Sequence, residues 1–197
     1  MQADFAVELG SDDEALEFPW SAANGKPRYF DLKRHPDLLP NVEEAAQVPE
    51  LGEFLVSVNS SFSALETAKC DAWFSPEINP GEEIFGGTCK FGCYVDLLLS
   101  DPLKRYSFAE HEQFARRITE LLKRVPEIPA SAEFLLRRCY YHEEENSEET
   151  RQGFYITFYL FGYGDEEKQA RQRWAIALRL VENAMRQLSA THLKPKN

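Results

Sequence analysis

Two stretches, CKFGCYVDLLLS at 89–100 and GFYITFYLFGYG at 153–164, repeat with period two, and each is followed by apolar residues at helical spacing. This pairing limits the fold more than any other feature, because a half-apolar strand needs a sheet with one face buried. In the first stretch Cys93, Val95, Leu97 and Leu99 oppose Tyr94, Asp96 and Leu98. In the second, Phe154, Ile156, Phe158 and Leu160 oppose Tyr155, Thr157, Tyr159 and Phe161.

The helices that follow carry start signals. Ser107 and Glu110 make a capping box ahead of a stripe of Phe114, Ile118, Leu121, Leu122 and Val125. Asp165 reads as an N-cap, with Glu166 and Glu167 at the positive end of the dipole and a stripe of Trp174, Leu178, Val181, Met185 and Leu188 beyond. Two more strands, at 63–75 and 131–142, precede the alternating ones. The chain therefore reads strand, long connection, strand, capped helix over 61–125 and again over 130–190. This is either a strand–strand–helix pseudo-repeat or the outline that any two such units share.

Antiparallel hairpins with helices packed on one side predict an α+β fold: a two-layer sandwich with an antiparallel sheet of at least four strands and two long helices on one face. The 197 residues suit a single domain. Residues 1–60 form its N-terminal extension, with short strands at 4–10 and 25–33 and a surface loop between them. One helix opens at Pro49 and buries Leu51, Phe54, Leu55 and Val58.

The formal charge is −11, which argues against nucleic acid or anionic lipid as a general partner, since phosphate binding needs clustered Lys and Arg. Six acids lie in residues 1–20 and five in HEEENSEE at 142–149, which together equal the whole excess. No stretch approaches the roughly 18 apolar residues of a membrane span, and the acidic start has no signal-peptide pattern, so a cytoplasmic protein is expected. Four cysteines without an export signal are expected to be reduced thiols.

Cys89 and Cys93 invite a metal reading, with Cys70 and Cys139 on other strands. In an extended strand, however, residues four apart are separated by about 13 Å, at roughly 3.3 Å per residue. The expectation is buried apolar cysteines, with neither metal nor cofactor. His111-Glu112 lacks the second histidine of a zinc-protease helix, and His142 precedes a run of acids; both read as solvated surface. FGYGD at 161–165 comes closest to a phosphate cradle, but Asp165, Glu166 and Glu167 would repel an anion. The acids show no spacing that fixes catalytic roles, so a binding module is expected before an enzyme.

The sheet face turned away from the helices carries the functional expectation. Alternation places Lys69, Asp71, Trp73, Tyr94, Asp96, Tyr155 and Tyr159 there, with Arg138 as the expected arginine of the fourth strand. Rings that bury apolar area while keeping a polar tip available are typical of binding surfaces. Three readings stay open: the face packs against residues 1–60; it meets a protein partner or a second copy; or it lines a cleft for a small aromatic or cationic ligand, with Asp71 and Asp96 as charge partners. A hydrolase-like use of the same cleft would make one of these aspartates a base.

Overall fold

The computed structural model describes residues 1–10, 16–19, 29–142 and 149–192. Its strands are β1 (Gln2–Glu8), β2 (Leu16–Phe18), β3 (Leu65–Ser75), β4 (Cys89–Leu99), β5 (Ala130–His142) and β6 (Thr150–Gly164). Its helices are α1 (Glu43–Gln47), α2 (Pro49–Val58), α3 (Phe108–Leu122) and α4 (Glu167–His192). The strands form one six-stranded sheet in the order β1-β5-β6-β4-β3, with β2 also beside β5, and helices pack on it as an α+β sandwich.

The two hairpins β3–β4 and β5–β6 meet at an antiparallel β4–β6 pair. The order β5-β6-β4-β3 is unchanged when the two strand–strand–helix units are exchanged. These four strands are the antiparallel sheet that the sequence predicted, and two parallel strands extend it. β1 runs parallel to β5, Gln2 opposite Ser131 through Glu8 opposite Arg137, and β2 continues along the same strand with Leu16 opposite Cys139. No tight hairpin ties β1 to β5, so hairpin geometry does not dictate its direction.

The two long helices α3 and α4 lie on one face as predicted, and α2 joins them in the second layer. α2 buries Leu51, Phe54, Leu55 and Val58 in the main core together with the stripes of α3 and α4. Phe54 reaches Phe158 on the sheet with ring centroids 6.0 Å apart. α4 lies so close to β6 that a Cβ on Gly162 would sit 2.2 Å from the Trp174 backbone nitrogen. It begins at Glu167, one residue later than an N-cap at Asp165 implies, and the Asp165 N–H donates to Gln169 Oε1.

Two further expectations fail. Residues 29–33 of the expected strand at 25–33 are coil and turn, and 25–28 lie outside the described residues. Lys33 does something else there: its Nζ donates to the carbonyls of Ser60, Ser63 and Leu65, fastening this segment to the turn between α2 and β3. His111 is fully buried instead of solvated, because it precedes Phe114 and Ala115 by three and four residues on the core stripe of α3. Its Nδ1 meets the Ser107 carbonyl at 2.8 Å. The acidic run at 143–148 and residues 11–15 and 20–28, with the expected surface loop between the two short strands, lie outside the described residues.

Candidate functional site

Strand register assembles the second sheet face row by row. The central row crosses five strands as Asp4, Glu133, Tyr159, Tyr94 and Asp71. On one side of it lies the row Gln2, Ser131, Phe161, Gly92 and Trp73. On the other, Ala6, Leu135, Thr157 and Asp96 are followed by two residues of β3. Pairing there passes from Thr67–Leu97 to Cys70–Val95, so Ala68 and Lys69 both stand against Asp96. This bulge shifts the alternation, which is why Thr67 faces the helix side while Lys69, Asp71 and Trp73 face away from it.

The face is closed at both ends. At one end Phe18, Leu98, Cys139, Tyr141 and Tyr155 form a second apolar cluster, with Tyr29, Ala68 and Tyr106 packed on it. Tyr155 is thereby drawn under Phe18, with centroids 5.9 Å apart. Buried Glu66 pairs there with Arg105, and burial raises its carboxyl above the usual range. At the other end the 3-10 turn Pro80–Phe85 folds over the sheet, and Phe85 stacks on Tyr163 at 4.2 Å. Glu82 accepts from Lys90 Nζ at 2.7 Å and from the Tyr163 hydroxyl at 2.9 Å.

Between these ends is a band of half-exposed rings and exposed acids. Trp73, Tyr94, Tyr159 and Phe161 are each partly exposed, and Asp4, Asp71 and Glu133 are exposed. The rings form a closed circuit, Trp73–Tyr94 at 6.5 Å, Tyr94–Tyr159 at 6.0 Å, Tyr159–Phe161 at 6.4 Å and Phe161–Trp73 at 5.9 Å. Gly92 makes room for it, since a Cβ there would come within 2.6 Å of the Phe161 ring.

Beside the rings lies a buried polar chain. Asp96 is only 5% exposed; its Oδ1 accepts from Thr157 Oγ1 at 2.7 Å, which in turn accepts from Arg137 Nη1 at 3.3 Å. Arg137 also donates to Glu8 at 2.9 Å. Burial pushes the Asp96 carboxyl up to about 6, against the opposing pull of Thr157, Lys69 and Arg137. Burial and the nearby Asp96 likewise push Tyr94 up to about 12.

The arginine on this face is Arg137, not Arg138. Arg138 pairs with Phe154 on the helix side and donates to the Gly10 carbonyl at 2.7 Å. Phe134 and Leu136 are buried core residues, and their parity carries Arg138 to their side. Sequence reasoning also passed over Glu133, although it stands at an even spacing from Arg137, and Asp4, whose place depends on the parallel pairing of β1. Lys69, Asp71, Trp73, Tyr94, Asp96 and Tyr159 do come together.

The four cysteines are free thiols on different supports. Trp174 Nε1 donates to Cys93 Sγ at 3.3 Å, Cys89 Sγ contacts the Gly164 carbonyl at 3.1 Å, and Cys139 belongs to the second cluster. Among the described residues no group of three or more His, Cys, Asp or Glu is placed to hold a metal ion, and no helix is long and apolar enough to cross a membrane. Around the β3 edge an open cleft of about 480 Å³ adjoins the face at Lys69 and Tyr94, with Phe30, Val42, Glu44 and Cys70 on its walls. No protein-family model, curated protein or solved structure matches the chain.

Proposed function

We propose that this protein is a binding module of the cytoplasm that docks a protein partner on the sheet face opposite its helices. The observation that carries this reading is the circuit of Trp73, Tyr94, Tyr159 and Phe161, partly exposed on a sheet whose other side already has a three-helix cover. Aromatic residues with polar tips supply contact area at low entropic cost and are enriched where proteins meet. The four free thiols suit a reducing compartment.

A photo-crosslinking amino acid at position 159, compared with one at exposed Arg117 on α3, tests the reading in cells that express the protein. Adducts heavier than the chain are expected from position 159 and absent from position 117. Equal yields at both positions, or none at 159, would sink the docking surface.

A second reading follows from the cleft beside the face. Its volume suits a small ligand, and Glu44 and Lys69 offer charges of both signs across apolar walls. A ligand whose thermal stabilisation is lost in Glu44→Gln but retained in Tyr159→Ala would favour the cleft over the face.

A further inference from the structure

We infer, on the strength of the docking reading above, that the partner presents an extended segment bearing lysine or arginine, laid across the strands over Asp4, Glu133, Tyr159, Tyr94 and Asp71. The row spans four interstrand gaps of about 4.8 Å, or ~19 Å, which matches roughly six extended residues. Charge selects the chemistry. Among the described residues Asp4, Asp71 and Glu133 take part in no ion pair. Burial first, and then the neighbouring Glu8 and Asp4, hold the Glu133 carboxyl above its usual range against the opposing pull of Arg137.

The cations already near the row have other engagements. Arg137 pairs with Glu8, Lys90 pairs with Glu82, and Lys69 faces Asp96. The rings add a second attraction, because aromatic faces draw cations. An internal example is already in place: Lys90 Nζ sits 4.8 Å from the centroid of Phe161. A second copy of the chain fits less well, since a two-fold contact through this face would set the acid row against itself.

The sheet edges also direct a partner to the face. On both outer strands an aspartate of this row accepts the next backbone N–H, Asp4 from Phe5 at 2.9 Å and Asp71 from Ala72 at 2.7 Å. A carboxylate thus occupies each edge where an added strand would pair.

The test titrates the full chain with a capped hexapeptide alternating lysine and glycine, and with its glutamate counterpart, read by calorimetry. Saturable binding of the lysine peptide alone is expected, weakened at least about tenfold by Asp71→Asn with Glu133→Gln and largely lost at about 0.5 M salt. Glu133→Lys, at an exposed position, serves if the double variant loses its circular dichroism spectrum. No saturation below about 5 mM, or equal affinity in the charge variants, overturns the cationic partner. So does a dimer in sedimentation that Tyr159→Ala dissolves, because the occupant is then a second copy. If position 159 still cross-links a partner while the peptide fails, the docking face stands and its proposed chemistry falls; loss of both removes the face itself.

Discussion

Asp96 holds its charge under conditions that disfavour it. Its folded value of about 6 lies above the ordinary 3.8, so the fold keeps the proton more tightly than the unfolded chain does. Its contribution to stability is therefore complete below about pH 3.8, declines as pH rises, and is lost above about pH 6. Asparagine could still accept from Thr157 without carrying a charge. Asp96→Asn is expected to add ~3 kcal/mol at about pH 8 and about half of that at pH 5, measured by urea unfolding. His111 acts in the opposite direction. Burial lowers its pKa below 6.5, so its contribution is lost as pH falls from that value toward the folded one. Asp96→Asn should thus remove one contribution that falls as pH rises while leaving the opposing one of His111 in place. The six predicted residues that share this face follow simple parity within their strands; Arg138 does not belong with them because parity had to be counted from Phe134, whose burial is a tertiary fact.

The strands and helices with a clear period were legible. β4, β6, α2, α3 and α4 stand within a few residues of their predicted spans, since each buries one stripe against one layer. The bulge at Ala68–Lys69 has no periodic signal, yet it determines that Glu66 and Lys69 share a face although their parity differs. The contact between α4 and β6 is another tertiary fact with a residue-level cause. Besides Trp174 N, the Ala170 carbonyl would lie 2.6 Å from a Cβ at Gly162, and neither backbone atom can move without shifting the helix. Gly162→Ala is expected to cost about 3 kcal/mol or more, seen as a lower unfolding midpoint with an unchanged slope. An unchanged midpoint would mean that α4 sits farther from the sheet than described.

The charge of −11 belongs to the whole molecule, and so does its consequence. Acids of both outer strands and of β5 converge on one face, where they repel one another in the folded state more than in the unfolded chain. Raising salt from about 0.02 to about 0.2 M near neutral pH should increase the melting temperature by about 2–4 °C, equivalent to ~1 kcal/mol. The same rise in Glu133→Gln should be smaller. A melting temperature that falls with salt would instead mean that paired charges such as Glu50–Arg171 and Glu82–Lys90 outweigh the repulsion.

By itself the sequence determined two strand–strand–helix units, a buried side and a polar aromatic side to each hairpin, and the character of Cys89, Cys93 and Cys139 as interior residues, whereas Cys70 is only partly buried. Those are local matters, decided by periods of two and 3.6 against a single apolar layer. Only the tertiary structure decided that β1 runs parallel at the far edge, that α2 joins the helix layer rather than covering the opposite face, and that three acids line up with two tyrosines across five strands. Those outcomes depend on which distant segments pair and in what register, and the energy that selects them comes from burial between residues far apart in the chain.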